Sequence, residues 1–276
     1  MPVGSPAHRS ASPPVRAHPA APWEPMYADR LLPEHIDGML RQEIAYVLIR
    51  GLLSPEWCEE ISRRFVAFIA AHPEHHVFLR TNYVDAVVLG MNFFMRGDAD
   101  DGPSRLDEYF ARVPVDRPRL RDLYRGGADP LDLVRAFWQQ TGYRELPAEE
   151  GGAPYHTDVL WGMVGPAMAP PHVDTYHQEA ACSLSRFPRR FSCNTFIQRP
   201  ERGGNFRVYR QRQNDGDFSR DRPPPCAEYV VSPGDLLIFD AGHYHEVLPV
   251  EGDRHRLFSH MAVLLDPASR EYSMIA

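Results

Sequence analysis

Hydrophobic and polar positions follow a helical period in parts of the first half of the chain. Ser54 is a good N-cap with a proline at the first helical position, and apolar side chains follow at helical spacing until Pro73. Further helical patterns lie at 105–113 and 130–141, whereas residues 46–50 (YVLIR) are typical of a short buried strand. The first half therefore predicts a mixture of helices and strands.

The pattern changes after a glycine-rich break at 151–154. Short β-prone runs, punctuated by Gly, Pro and Asp, lie at 156–164, 191–198, 205–211, 227–231, 235–240 and 257–265. Short strands with regular turn signals and almost no helix predict a small barrel or a two-sheet jelly roll. We expect one domain over 23–276, with helical support and first strands in 23–150 and the jelly-roll core in 151–276.

Composition and charge exclude several function classes. The net charge of -7 offers no basic surface for nucleic acid or an anionic membrane, so we expect neither as a partner. No segment approaches the roughly 18 apolar residues of a spanning helix. Residues 1–22 are rich in Pro and Ala without an apolar stretch, which indicates a disordered tail rather than a secretory signal. We expect a cytoplasmic protein, and the oligomeric state is not predicted.

The four cysteines are scattered along the chain. They are Cys58, Cys182, Cys193 and Cys226, and no two form a CxxC pair. This spacing argues against a zinc ribbon or a disulfide scaffold. We interpret them as reduced, mostly buried thiols.

The strongest local signal for chemistry is the segment 170–175 (PPHVDT). In an extended segment alternate side chains share a face, so His172 and Asp174 can reach one metal ion. An iron(II) site with two imidazoles and one carboxylate then needs a second histidine, and His243 and His245 share a strand face. The His-x-Asp tripeptide alone is common, and Asp174 could instead cap a turn.

The run 232–250 (SPGDLLIFDAGHYHEVLPV), followed by 252–257 (GDRHRL), carries a family resemblance. It resembles the Fe(II)/2-oxoglutarate-dependent oxygenase superfamily, in particular its prolyl-hydroxylase-like and phytanoyl-CoA-dioxygenase-like branch. There a Pro-Gly-Asp turn and an apolar strand precede a His-x-Val-x-Pro-Val segment and a basic residue. Residues 203–206 (GGNF) and 51–58 (GLLSPEWC) match further family segments in order, and together the motifs cover most of 46–265.

The resemblance implies a mainly β fold with N-terminal helices, a double-stranded β-helix (jelly roll, cupin-like) with the helices on its larger sheet. It also implies that His172, Asp174 and His245 are the catalytic iron ligands. His245 is preferred to His243 because a Val-x-Pro-Val spacing follows it.

The same resemblance suggests residues for the cosubstrate. Arg254 matches the residue that pairs with the far carboxylate of 2-oxoglutarate, for which a guanidinium is well suited. Arg256, two residues later on the same strand face, is its rival. Asn194 could donate to 2-oxoglutarate, although a structural role explains it nearly as well. Phe196 stands where family members often have Tyr, so one expected contact stays unassigned.

The activity implied is hydroxylation of an unactivated C–H bond with iron(II), 2-oxoglutarate and O2, giving succinate and CO2, with ascorbate as an optional stimulant. Desaturation or cyclisation stays open, and the carboxylate of Asp174 disfavours halogenation. The expected substrate is a small molecule, an amino acid or a natural-product intermediate. The alternatives are a protein or peptidyl hydroxylase and a non-catalytic metal-binding jelly roll.

For two further groups of residues, the sequence gives only weak support for a functional role. Residues that flank the presumed mouth could touch substrate, although ordinary packing or loop exposure is favoured for each of them. They are Trp161, Tyr176, His177, Arg207 and Tyr209. A histidine cluster, His72, His75 and His76, falls just past a helix end, where histidines meet the helix dipole favourably. We give that cluster little weight as a metal site.

Overall fold

The structure is a computed structural model that describes residues 23–73, 77–80, 85–93, 103–179, 182–213, 215, 218, 224–225 and 227–276. The expected tail at 1–22, together with Cys226, His75 and His76, lies outside the described residues. The helices are α1 (Pro33–Leu40), α2 (Pro55–Ala71), α3 (Pro103–Leu123), α4 (Pro130–Gln139) and α5 (Tyr176–Glu179). Of the described helices, none has the length and apolar character that a membrane crossing requires.

The strands are β1 (Glu24–Ala28), β2 (Ile44–Ile49), β3 (Val77–Arg80), β4 (Asp85–Leu89), β5 (Arg144–Glu145), β6 (Glu149–Glu150), β7 (Ala153–Pro154), β8 (Val159–Met163), β9 (Ala169–His172), β10 (Arg189–Gln198), β11 (Arg202–Gly203), β12 (Phe206–Arg212), β13 (Ala227–Tyr229), β14 (Leu236–Asp240), β15 (His243–Val247), β16 (Val250–Glu251), β17 (Arg256–Asp266) and β18 (Glu271–Ile275). The expected mainly β architecture is confirmed. Each of the six strand runs predicted after the glycine-rich break overlaps an observed strand.

Two sheets carry the architecture. A ten-stranded mixed sheet has the order β1-β2-β14-β10-β17-β8-β4-β3, with β18 paired to β17 and β5, and a four-stranded sheet has the order β13-β12-β15-β9. From β8 onward the chain passes repeatedly between the two sheets. This alternation is consistent with the predicted jelly roll.

The inner faces of the two sheets pack against each other around aromatic side chains. Phe206 of the small sheet lies 4.6 Å from Phe239 of the large sheet, and Phe196 lies 5.3 Å from Tyr229, measured between ring centroids. Because alternate residues of a strand share a face, Phe196 and the neighbouring polar residues of β10 point into this same space. The space between the two sheets is therefore apolar at its centre, and polar side chains of β10 enter it toward one end of that strand.

Helices cover the outer face of the large sheet. Val134 and Trp138 of α4 share a cluster with Ile238, and Ile61 and Phe65 of α2 lie in a second cluster on the same sheet. The predicted N-cap of α2 is confirmed, because Ser54 Oγ accepts a hydrogen bond of 3.2 Å from the backbone N–H of Trp57.

The helix predicted at 105–113 continues well beyond that range. α3 extends to Leu123 and includes Pro114 and Pro118, residues that usually end helices. Val113 and Leu120, two side chains of α3, are almost fully buried. Tertiary packing of this apolar side therefore outweighs the loss of backbone hydrogen bonds at the two prolines, a balance that local propensity does not reveal.

Gly203 lies where β11 pairs with β16, and a side chain there would meet the backbone. Its φ is +68°, and a Cβ would lie 2.0 Å from the carbonyl oxygen of Pro249. We expect Gly203→Ala to lower the free energy of unfolding by about 2–4 kcal/mol, from the left-handed backbone and the clash together. Gly151→Ala is the matched control, because Gly151 also has a positive φ but has open space around its Cβ position. Urea unfolding of both variants measures the difference, and equal losses would contradict the expected clash.

Candidate metal centre and its surroundings

Three potential metal ligands converge between the two sheets. His172 ends β9, and the β9–β15 ladder pairs its Cα directly with that of His245. The backbone N–H of Asp174 donates to the carbonyl of Ala241 at 2.9 Å, which holds Asp174 beside the residues that precede β15. One ligand atom from each of His172, Asp174 and His245 can be chosen so that all lie within 4.8 Å of one another.

Hydrogen bonds orient both imidazoles. Nδ1 of His172 lies 2.7 Å from the carbonyl oxygen of Pro170, and Nδ1 of His245 lies 2.9 Å from that of His243. Because a carbonyl can only accept, each Nδ1 carries the proton and each Nε2 keeps its lone pair. The two Nε2 atoms lie 3.8 and 3.7 Å from the carboxylate oxygens of Asp174, so the free lone pairs and the carboxylate share one region.

The electrostatics of the cluster favour a bound cation. Burial raises the pKa of Asp174, but Arg190 and the two histidines outweigh it and hold the pKa well below its usual range. Burial lowers the pKa of His245 to about 3. At neutral pH the carboxylate is therefore ionised and His245 is neutral, the protonation states that metal ligation requires.

Burial also keeps further histidines neutral, which makes the fold acid-sensitive. The pKa is lowered to about 3 or about 4 for His156, His177, His243, His245 and His260. An unfolded histidine titrates near 6.5, so below that pH the unfolded chain binds more protons and stability is lost as the pH falls. Asp158 acts in the opposite direction, because burial raises its pKa to about 7.

We therefore expect the metal-free protein to be less stable at pH 5 than at pH 7. Each buried histidine costs about 2 kcal/mol at pH 5, and the net loss is several kcal/mol after the contribution of Asp158. Urea unfolding at the two pH values measures it. His156→Phe, remote from the three ligands, should reduce the difference by about 2 kcal/mol. Equal stability at both pH values would show that these side chains are not buried in the neutral form.

Arg254 and Arg256 occupy different environments. Arg254 is exposed in a bend before β17, whereas Arg256, the first residue of β17, is 1% exposed. The Arg256 guanidinium carbon lies 5.0 and 4.7 Å from the ring centroids of Phe196 and Phe258, and its Nε donates to the carbonyl of Gly204 at 2.8 Å. Of the two rival arginines, the structure therefore places Arg256 in the interior, whereas Arg254 precedes the strand and is exposed.

Burial lowers the pKa of Arg256 to about 9, so the side chain is still charged at neutral pH. Among the described residues, no carboxylate forms an ion pair with it. A buried guanidinium held between two phenyl rings is a costly feature unless an anion binds there.

Asn194 belongs to a polar network that sequence reasoning only partly identified. Its Oδ1 accepts a hydrogen bond of 2.8 Å from Nδ1 of His260, and Nε2 of His260 lies 3.5 Å from the guanidinium of Arg190. Arg190 in turn lies 3.9 Å from Asp174. The sequence analysis missed His260 and Arg190, although extending the alternation of Asn194 and Phe196 four residues back along β10 would have found Arg190.

The other candidates have mostly structural surroundings. His243 is buried, its Nδ1 donates to the carbonyl of Arg210 at 3.0 Å, and it lies outside the three-ligand cluster. Trp161 stacks on Phe258 at 6.2 Å, and His177 donates from Nε2 to the carbonyl of Phe187 at 3.1 Å.

Arg207 and Tyr209 form a separate network. Arg207 pairs with Glu228 at 2.6 Å, and both Arg207 and Tyr209 interact with Glu246. Tyr176 begins α5, and its side chain lies outside the described part of the structure. The described cysteines, Cys58, Cys182 and Cys193, are free thiols.

Comparisons with known proteins give a partial relative and a shared fold. No protein-family model matches the chain. A curated relative, L-gamma-glutamyl-L-propargylglycine hydroxylase of Streptantibioticus cattleyicolor, is 30% identical over 142 residues, which are 47% of this chain and 52% of the relative. The chain thus spans about half the length of this relative.

Two solved structures share the fold. An N-substituted L-amino acid dioxygenase from Burkholderia ambifaria superimposes with a TM-score of 0.55 at 14% identity, covering 88% of this chain and 91% of that chain. Its complex with alpha-KG gives a TM-score of 0.53 at 13% identity, covering 87% and 90%. The resemblance to the Fe(II)/2-oxoglutarate-dependent oxygenases is therefore confirmed at the level of the fold.

Proposed function

We propose that this chain is an iron(II)- and 2-oxoglutarate-dependent dioxygenase that hydroxylates an unactivated C–H bond of a small molecule. The observation that carries the proposal is the convergence of His172, Asp174 and His245, whose potential ligand atoms lie within 4.8 Å of one another. Two imidazoles and one carboxylate are the ligand set of non-haem iron(II) oxygenases, and they leave coordination positions open.

The donor set fits iron(II) on chemical grounds. Both histidines have a fixed tautomer with a free Nε2, and Asp174 is ionised and buried near the positive charge of Arg190. The carbonyls that hold the Nδ1 protons act as the outer partners that orient ligands in metal sites. A zinc or nickel ion could use the same atoms, so the cosubstrate residues matter for the distinction.

Arg256 is the residue we assign to 2-oxoglutarate. Its guanidinium could form a bidentate, charge-assisted pair with the far carboxylate, and the neighbouring phenyl rings of Phe196 and Phe258 exclude water from that pair. Phe196 stands where relatives often have Tyr, and here its ring supports the arginine instead. Asn194 faces the same interior and is held by His260, so it could contribute a hydrogen bond to the cosubstrate.

The protein's own contribution is to bind, orient and exclude water. Iron and 2-oxoglutarate together would supply the oxidising chemistry that no side chain can provide. The apolar interior around Phe206, Phe239 and Phe258 keeps water away from the reacting carbon, and the β9–β15 ladder holds the two histidine ligands side by side. Asp174 would supply the carboxylate ligand of the metal, which favours hydroxylation over halogenation.

Similarity to known proteins supports a substrate class for this site. The curated relative is an L-gamma-glutamyl-L-propargylglycine hydroxylase, and the fold neighbour is an N-substituted L-amino acid dioxygenase. We therefore propose an amino acid or an amino-acid derivative as the substrate.

An anaerobic titration tests the proposal. Iron(II) and then 2-oxoglutarate are added to metal-free protein, and the weak visible charge-transfer band of the iron–2-oxoglutarate chelate is recorded. We expect the band to appear and, on admission of oxygen, succinate to form. Metal binding without the band would reject the oxygenase and leave a metal-binding protein, whereas succinate formation stimulated by peptides alone would favour a peptidyl hydroxylase.

A further inference from the structure

A cavity lies beside the candidate metal centre, at the end of the barrel where β9 ends and β10 begins. It has a volume of about 260 Å³, and Arg189, Arg190 and Arg212 line it together with Asp215 and Asp240. Arg190 is 3.9 Å from Asp174, so it joins the wall of the cavity to the metal ligands. This volume is somewhat below the roughly 300–1,000 Å³ of ordinary ligand pockets. The cavity therefore suits the headgroup of a substrate rather than the whole substrate molecule.

Among the described residues that line this cavity, positively charged side chains outnumber negatively charged ones. Three guanidinium groups face the two carboxylates of Asp215 and Asp240. Asp240 is the close partner of Arg212 and lies 4.0 Å from Arg189, so it is shared between two arginines. The negative charge of Asp174, nearest to Arg190, would be committed to a bound metal ion. The cavity can therefore accept one further anionic group.

Buried atoms of Arg212 and His177 in the cavity wall lack hydrogen-bond partners among the described residues. One is Nε of Arg212, a donor that can only be satisfied by an acceptor. The other is Nδ1 of His177, whose ring is 0% exposed. Because Nε2 of His177 donates to the carbonyl of Phe187, Nδ1 carries a lone pair and requires a donor. The cavity wall thus presents one hydrogen-bond donor without a partner, Nε of Arg212, and one acceptor without a partner, Nδ1 of His177.

We propose that this cavity binds the carboxylate of an amino-acid substrate, with Arg189 and Arg212 as its recognition residues. His177 accepts a hydrogen bond from the substrate's amine or amide N–H, and Arg190 sets the distance between this headgroup and the metal centre. An amino-acid headgroup carries one carboxylate and one N–H on adjacent positions, which matches the two open functions of the wall. The inference rests on the proposed function, because it assigns the substrate site of that oxygenase.

Paired ligands test the assignment directly. The full chain is loaded anaerobically with iron(II) and 2-oxoglutarate, and calorimetry follows the addition of N-acetyl-L-alanine, N-acetyl-L-leucine and N-acetyl-L-phenylalanine. Each acid is compared with its C-terminal amide, which lacks the negative charge. We expect at least one acid to bind about tenfold or more tightly than its amide, the difference that one charge-assisted pair supports.

Variants locate the binding site. Arg189→Gln, whose side chain is 34% exposed in the native protein, and Arg212→Gln should each weaken binding of the acid by about tenfold or more and leave the amide unchanged. Arg212→Gln also deprives buried Asp240 of its partner, so Arg189→Gln provides the test if that variant does not fold. Arg207→Gln is the matched control, since Arg207 lies on the same strand as Arg212 but pairs with Glu228.

The outcomes separate this inference from the proposed function. If iron(II) and 2-oxoglutarate bind but the acids bind no better than the amides, or not at all, the cavity is not a carboxylate site. An unchanged affinity for the acid in Arg189→Gln and Arg212→Gln would reject it equally. Failure of 2-oxoglutarate to bind would instead remove the proposed function, and with it the substrate site.

Discussion

Asp174→Asn is expected to weaken metal binding by at least about a hundredfold and to abolish succinate formation. The substitution keeps the shape of the side chain but removes the charge between Nε2 of His172 and Nε2 of His245, each less than 4 Å away. Loss of an outer partner in a metal site already costs about 10–100-fold in affinity, so loss of a charged ligand should cost at least the upper value. Competition with a chromophoric chelator under anaerobic conditions measures the affinity.

Asp240→Asn is the matched control for this variant. Asp240 is also a buried aspartate that faces an arginine, Arg212, but it is not one of the three clustered ligands. We expect its metal affinity to stay within about threefold of the native value, a change of less than about 1 kcal/mol. If the two variants lost affinity equally, the effect would reflect a general disturbance of the barrel end, and Asp174 would lose its role as a ligand.

Arg256→Met is expected to weaken 2-oxoglutarate binding by at least about thirtyfold without destabilising the metal-free protein. Truncating one partner of a buried charge pair costs about 2–5 kcal/mol, which corresponds to this change or more. The metal-free fold gains instead, because a desolvated guanidinium between Phe196 and Phe258 is replaced by an apolar side chain of similar length. Titration of the visible band measures the affinity, and thermal unfolding measures the stability.

The control is Arg254→Met, which tests the alternative that motif spacing favoured. Arg254 is exposed in the bend before β17, so its replacement should leave the affinity for 2-oxoglutarate unchanged. The reverse result, with affinity lost in Arg254→Met and kept in Arg256→Met, would return the assignment to Arg254. It would mean that the bend closes over the cosubstrate.

Local patterns in the chain were sufficient to predict the class of fold and the residue types of the candidate site. Alternation with period two, turn residues between the runs, and the N-cap at Ser54 are local features, and each describes what neighbouring residues do to one another. The mainly β architecture and α2 follow from them. The segment 170–175 likewise brought His172 and Asp174 to one face without reference to any distant residue.

Tertiary structure decided which of several equivalent residues meet. His243 and His245 share a strand face, but only His245 is paired across the ladder with His172. Arg254 and Arg256 also differ by two positions, but β17 begins at Arg256.

Register and strand ends depend on contacts between segments far apart in the chain, and no local pattern encodes them. The same reason explains His260, which meets Asn194 and Arg190 because β10 and β17 are neighbours in the large sheet. It also explains α3, whose prolines favour an early end and whose burial against the sheet keeps the helix intact.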